Sequence, residues 1–401
     1  MSGSFKNSAA ILLANGLNGY GALRSLRKAG IRAITVVPSK DDLSARSRLS
    51  ECCIVVPMDE AWERHVLAVL EDIEVPTGTP LIACSDRAAV FLQNNLELLG
   101  QRFGLLIPGG NVIETLNDKR TELELMQSKG IPVPASLTHL AGTGESEPPL
   151  RLPLIVKPRT YQGYSLIKAK NVIVRSTGEW REFHRNHGHH LDAFVAQEVI
   201  EGPDKNLWVC NATVDREHRV VRFFSFRRLG TAPSHFGVTS FAQSCRNDIL
   251  RQRVQNIASA LSYVGPLMVE FKFDPIVEEY LYLETNPRLG MCNWFDTACG
   301  VNNVEAVCML SAGLPLNAGL PQREGVMYLH ALADLTARLE DREGLLSIVR
   351  RYARASRAPM AWAIFTLRDL SPFIFSTAAC SAELMRRIFR QFLLRGKRRS
   401  Q

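Results

Sequence analysis

A chain of 401 residues has room for about two or three domains, and its 46% apolar and 22% charged residues are those of an ordinary globular protein. A formal charge of +8 favours anionic ligands without naming one, and no nucleic-acid partner is expected. Nine cysteines without a CxxC pair fit reduced thiols in a cytosol rather than a disulfide framework or a zinc site. The N-terminus lacks a signal-peptide pattern, and no run of about 18 uncharged apolar residues offers a spanning helix, so a cytoplasmic protein is expected.

The opening reads as strand, turn, helix, strand. Residues 9–14 are a short apolar run, 15–21 (NGLNGYG) a glycine-rich turn, 22–29 have helical spacing, and 31–37 are β-branched. That is a βαβ unit with a parallel sheet. Gly16, Gly19 and Gly21 spell GxxGxG, not the GxGxxG of a dinucleotide fingerprint, so a dehydrogenase has no support. The turn either meets a nucleotide or only lets the helix pack on the sheet. No GxxxxGK[ST] occurs, which excludes a P-loop NTPase. Residues 53–56 and 81–84 continue as strands, with 60–71 and 87–99 as helices. Ser85 and Asp86 stand at the carboxyl end of a strand, where open α/β sheets bind ligands. Asp86 capping the next helix is the plainer reading.

The rhythm changes near Pro108. Residues 117–129 read as a helix with Asp118 and Lys119 in its first turn, stopped by Gly130 and Pro132. Residues 141–149 are an exposed loop. Residues 152–157 form a strand that delivers Lys157, and 160–165 a short loop with one glycine. Then come a strand at 169–175, a helix at 177–185 and a strand at 193–200. The segment 184–190 (HRNHGHH) holds four of the nine histidines. No Cys or Asp completes a tetrahedral set, so an exposed loop is expected there rather than a metal site. Residues 207–214 and 220–228 alternate in hydrophobicity around a turn, and 248–261 form an amphipathic helix.

Residues 267–288 (LMVEFKFDPIVEEYLYLETNPR) read as two strands joined by a turn. Met268, Glu270 and Lys272 share one face of the first strand; Tyr282, Glu284 and Asn286 share one face of the second. With those faces together, Glu270 and Glu284 repel unless a cation sits between them. Asn286 adds an amide oxygen and Arg288 a fixed charge, a set that suits Mg²⁺ shared with nucleotide phosphates. The alternative is a hairpin whose acids are paired with Lys272 and Arg288. An apolar helix (301–313), a Pro/Gly connector (313–321) and a mostly helical region from about Val326 follow. The end is basic: Arg386, Arg387, Arg390, Arg395, Lys397, Arg398 and Arg399, interleaved with Ile388, Phe389, Phe392, Leu393 and Leu394. It reads either as a packed helix with a solvated tail or as a peripheral contact with an anionic membrane, at its inner face.

Taken in order, several motifs resemble the ATP-grasp superfamily. They are a glycine-rich α/β domain, Lys119 in DKR followed by KGIPVP, Lys157 in LIVKP, then AQEVIEG, VEFKFD and ETNPR. The VEFK strand, SFRRLG before it and a C-terminal RDLSP resemble, more narrowly, predicted carboxylate–amine ligases akin to D-aspartate ligase. The resemblance implies an α/β fold: a Rossmann-like pre-ATP-grasp domain (1–108), a two-part ATP-grasp domain (109–315) with a lid at about 152–199, and a mostly helical C-terminal extension (316–401). It implies ATP with Mg²⁺ or Mn²⁺, small-molecule carboxylate and amine substrates, and it allows a homodimer.

The resemblance also assigns roles. Lys119 and Lys157 would contact phosphates. Gln197, Glu198, Val199 and Ile200 would form the hinge against adenine, with Asp204 or Lys205 near the ribose. Glu270, Glu284 and Asn286 would hold the metal, and Arg288 would stabilise charge on the transferred phosphoryl group. Arg227 or Arg228 would bind the carboxylate substrate or acyl phosphate, in a pocket shared with Ser85, Asp86 and Trp294. Two departures stand out: RTYQGYS has one glycine where many such lids have several, and PDKNL stands where an acidic ribose ligand is common. The implied activity is an ADP-forming ligase that makes an acyl phosphate and passes the acyl group to an amine of amino acid or amino sugar type. The alternatives are an ATP-grasp carboxylase, a carbamoyl-phosphate-forming enzyme, or a non-catalytic nucleotide-binding protein. A second ATP-grasp copy and a biotin-carrier domain, which would favour the first two, are not seen.

Overall fold

The structure, a computed structural model, describes residues 9–144, 146–160, 163–234 and 237–378, so the basic stretch from Arg386 onward lies outside the described residues. The first unit runs β1 (Ala9–Leu13), α1 (Gly16–Lys28), β2 (Arg32–Val37), β3 (Cys52–Val55), α2 (Trp62–Asp72), β4 (Thr79–Ala83), α3 (Asp86–Asn94), α4 (Leu96–Gly100) and β5 (Phe103–Gly104). The strands pair in parallel in the order β3-β2-β1-β4-β5. β1 is covered on both faces, which explains its unbroken apolar run. Ile11 and Leu13 join Trp62, Val66 and Phe91; Ala10 and Leu12 join Ala22, Leu23 and Leu26 of α1.

The glycine-rich stretch is not a loop. α1 starts at Gly16, so Gly19 and Gly21 lie inside its first two turns. A Cβ on Gly19 would stand 2.6 Å from Ala14 Cβ, and one on Gly21 2.5 Å from Asn293 Oδ1. These glycines allow α1 to press against β1 and a later helix. The Gly16 N–H donates to Asp42 Oδ2 at 2.6 Å. A carboxylate of this chain therefore takes the helix end where a nucleotide phosphate would otherwise bind.

Next come α5 (Val112–Asn117), α6 (Lys119–Ser128), β6 (Ser136–Leu137), β7 (Leu154–Pro158), α7 (Tyr164–Ile167), β8 (Val172–Val174), α8 (Thr177–His187) and β9 (Phe194–Glu198). The strands form an antiparallel sheet in the order β6-β9-β7-β8. Its apolar face closes on α8 through Leu154, Val156, Val174, Trp180 and Phe183. The first four residues of the histidine-rich segment belong to this helix rather than to a loop, while the segment is exposed apart from His184 and the half-buried His187. His184 is buried, with Nε2 3.1 Å from Thr143 Oγ1 and its ring 4.3 Å from that of Trp180. No group of three or more His, Cys, Asp or Glu suited to a metal occurs among the described residues.

The second large sheet follows: β10 (Leu207–Val214), β11 (Val220–Ala232), β12 (Val238–Ser244), α9 (Asp248–Ala260), β13 (Gly265–Asp274) and β14 (Glu279–Asn286). Then come α10 (Asn293–Ala298), α11 (Asn303–Ser311), β15 (Met327–Leu329), α12 (Ala331–Glu340), α13 (Leu345–Ala355) and β16 (Met360–Trp362). Seven strands pair in the order β14-β13-β10-β11-β12-β15-β16. α9 lays Leu250, Val254, Ile257 and Ala258, at helical spacing, over Val269 and Phe271 of β13. The region past 316, read from sequence as mostly helical, supplies β15 and β16 and is thus built into this sheet.

RDLSP docks that region onto the first unit. Asp369 is 1% exposed and accepts from Ser47 Oγ (2.5 Å), Arg48 N (3.2 Å) and Tyr20 OH (3.4 Å). Arg24 donates to the carbonyls of Trp362 (3.0 Å) and Ala363 (2.9 Å) while lying 3.9 Å from the Trp294 ring. Trp294, expected near substrate, belongs to this joint instead. Asp369→Ala should cost about 1–3 kcal/mol for each buried donor left unpaired. Faster tryptic cleavage after Arg368 and a lower urea midpoint are expected; an unchanged midpoint would refute the joint.

Candidate active site

The small sheet, the seven-stranded sheet and α6 meet around a cavity of about 670 Å³. The register of β13 on β14 sets Glu270 opposite Glu284 and Met268 opposite Asn286, as the alternation required; a bulge after Glu270 shifts the later pairs. The two carboxylates are ion-paired, but not to Lys272 and Arg288. Lys119 Nζ lies 3.3 Å from Glu284 Oε2, and Arg228 donates to Glu270 Oε1. Lys272 donates to the Ile200 carbonyl at 2.5 Å instead. Arg288 Nε donates to Asp86 Oδ1 at 2.7 Å, and its Nη2 to Asn286 Oδ1 at 3.0 Å. Asp86 is thus a tether for Arg288. The cap of α3 is Ser85, whose Oγ accepts from Ala88 N at 3.2 Å.

Glu122 lies buried under this layer. It accepts from Lys119 Nζ (2.9 Å), Tyr282 OH (2.6 Å) and Thr285 N (2.7 Å), pinning α6 to β14. Asp118 caps α6 through Arg120 N (2.9 Å) and also takes Arg159 Nη2 (2.6 Å) and Nε (3.1 Å) from the end of β7. From β7, Lys157 donates to Gln197 Oε1 at 2.8 Å.

Burial and charge compete at each of these groups. Burial disfavours the Lys119 ammonium, but Glu122 and Glu284 outweigh it and hold its pKa well above the ordinary lysine value. Burial would raise the Glu284 carboxyl; Lys119, Lys170 and Lys157 overcome this and hold it far below the usual carboxylate range. Lys157 bonds a neutral amide, so burial prevails over Glu284 and lowers it to about 8.

The residues expected from the sequence to hold phosphates, adenine and metal line this cavity, as does Arg288; Arg227, Lys205, Ser85, Asp86 and Trp294 do not. Arg227 alternates to the opposite face of β11, its guanidinium 5.7 Å from the Trp208 ring, so Arg228 alone of the pair reaches the cavity. Glu122, Lys170 and Arg175 were missed. The first reads as an i,i+3 partner on a helix surface, and the other two as ordinary ends of a lid strand. Lys272 sits on the Glu270 face, as the alternation requires, but serves the hinge carbonyl. Glu270, Glu284 and Asn286 offer two carboxylates and an amide oxygen on one wall, with Glu284 kept ionised. That hard-oxygen set fits Mg²⁺, which would complete its shell from phosphate and water.

No family model matches the chain. In sequence it is similar to the D-aspartate ligase of Enterococcus faecium (strain Aus0004), 25% identical over 314 residues, covering 73% of this chain and 74% of that protein. In structure it is similar to the biotin carboxylase of Campylobacter jejuni, with a TM-score of 0.60 at 15% identity, covering 80% of this chain and 74% of that one. It is also similar to the L-amino acid ligase of Bacillus licheniformis, with a TM-score of 0.56 at 18% identity, covering 78% and 75%.

Proposed function

We propose, from the ATP-grasp fold that the chain has, that it is an ATP- and Mg²⁺-dependent ligase joining a carboxylate to an amine through an acyl phosphate. The observation that carries this is the Glu270–Glu284 pair on the wall of a cavity lined by lysines and arginines. Phosphoryl transfer needs little beyond positioned charge and in-line geometry. Glu270, Glu284 and Asn286 would hold Mg²⁺, which when bound neutralises charge on the phosphate oxygens. Lys119 from α6 and Lys157 from β7 would bracket those oxygens. Arg288, held by Asp86, would stabilise charge on the moving phosphoryl group.

The substrate carboxylate oxygen would attack the γ-phosphorus, with ADP leaving. The amine nitrogen would then attack the acyl carbon, expelling phosphate and losing a proton. Arg228 commits Nη2 to Glu270 and Nε to Thr239 Oγ1 (2.8 Å), leaving Nη1 for the carboxylate. The lid would keep water from the acyl phosphate.

Lys157 should set the alkaline limit. Its ammonium is required on the phosphates, and a value of about 8 means the free enzyme loses that charge as pH rises through 8. Above that point kcat/KM for ATP is expected to fall about tenfold per pH unit. Lys157→Arg, charged throughout, should abolish the fall. A flat wild-type profile up to about pH 9.5 would remove Lys157 from the phosphate site.

The reaction class is tested by ADP release with Mg²⁺, ATP and pools of acids and amines. D-aspartate is the first amine to include, given the 25% identical relative. Release that needs both an acid and an amine supports the ligase. Release with bicarbonate alone supports a carboxylase, and no release under any condition overturns catalysis.

A further inference from the structure

The lid loop raises a physical problem. A glycine-rich lid grips phosphate with backbone N–H groups. Here the loop has a single glycine, Gly163, and a Cβ there would stand 2.9 Å from Pro158 Cβ. That glycine answers to packing against β7. Something else on the lid must meet the phosphates.

The cations around the cavity divide into two kinds. Lys119, Lys157, Arg228, Lys272 and Arg288 each have a side-chain or carbonyl partner within the protein. Lys170 and Arg175 also line the cavity, at either end of β8, and neither side chain has a hydrogen-bond or ion-pair partner among the described residues. Both are exposed. Lys170 acts on the Glu284 carboxyl more strongly than Lys157 does, so its charge is felt at the centre of the site.

We propose that Lys170 and Arg175 are the lid's grip on the nucleotide, replacing a glycine cradle with two side-chain cations that engage the β- and γ-phosphates. This rests on the nucleotide-binding reading above. Both side chains line the cavity from the β8 part of the lid, where a polyphosphate would offer each an anionic partner. The lid would therefore close on a polyphosphate and not on a nucleoside monophosphate, which lacks the phosphates that these two cations engage. Charge-assisted contacts on this scale change affinity by about tenfold or more each.

The test is calorimetric binding of Mg²⁺·AMPPNP and of AMP to the full chain. Lys170→Met and Arg175→Met should each weaken AMPPNP by about tenfold and leave AMP unchanged, and Lys170→Arg should recover most of the loss. AMPPNP should protect the wild-type lid from limited proteolysis and fail to protect the double variant. Unchanged AMPPNP affinity in the double variant overturns the proposal, as does equal weakening of AMP, which would mark general damage to the lid. A wild-type chain that binds neither nucleotide overturns the nucleotide-binding reading itself, and the lid grip with it.

Discussion

Glu284→Gln is expected to lower ADP formation by about a thousandfold or more, an effect of roughly 4 kcal/mol on the barrier, while the chain stays folded. The side chain removed is the one on which three lysines converge. Lys119, Lys170 and Lys157 together hold its carboxyl ionised against burial. Glutamine keeps the shape and the oxygen but not the charge that a divalent cation needs. The fold should survive because Lys119 keeps Glu122 at 2.9 Å, so no buried cation is left alone. Folding is read by near-ultraviolet circular dichroism and turnover by ADP release. Turnover like the wild type's would sink the metal assignment. There is also a pH signature. The folded carboxyl is held below its ordinary value of 4.5, so its contribution to stability is present above that value and lost on acidification. Wild type and variant should differ most in urea resistance near neutral pH and converge as the pH falls through the carboxylate range.

What could be read from the sequence follows the range of the interactions. The Glu270–Glu284 pairing needs only the period of two along each strand and one short turn, so its register was legible. The βαβ opening was legible from unbroken apolar runs. The same local reasoning failed at NGLNGYG, because turn chemistry and close helix packing both call for glycine, and only Ala14 and Asn293 decide between them. Arg227 and Arg228 are adjacent in sequence and lie on opposite faces, so one of them had to be excluded, but which one depends on the register of β11 against β10. β15 and β16 have three residues each, too few to show a period, and they exist because β12 offers an edge. The long-range partners of the site's charged groups were the furthest from reach. Arg288 finds Asp86 across 202 residues, and no pattern within either segment announces the other.

Glu122 is the extreme case, and removing it should be the largest single cost to stability in the site. In sequence it is one acid in KRTELELMQS, three residues after Lys119, the spacing of a surface pair worth about 0.2–0.5 kcal/mol. In the structure it is fully buried and takes donors from three sources: the Lys119 ammonium, the Tyr282 hydroxyl and the Thr285 amide. Glu122→Leu matches it roughly in size and leaves those donors facing hydrocarbon. Tyr282 can still turn to Thr285 Oγ1 at 2.7 Å, and Lys119 to Glu284, but the Thr285 N–H loses its carboxylate acceptor. Breaking a buried pair of this kind costs about 3–5 kcal/mol. The urea midpoint should fall accordingly, with the m-value unchanged. Activity should fall as well, because Lys119 would then rest on Glu284 alone. Glu122→Gln separates the two effects: it keeps an acceptor for Thr285 and turns an N–H toward Lys119, so it should recover part of the stability and little of the turnover. A variant with leucine at 122 and a wild-type midpoint would mean that α6 is held to β14 by its apolar contacts alone, and that Lys119 is positioned by something other than the carboxylate beneath it.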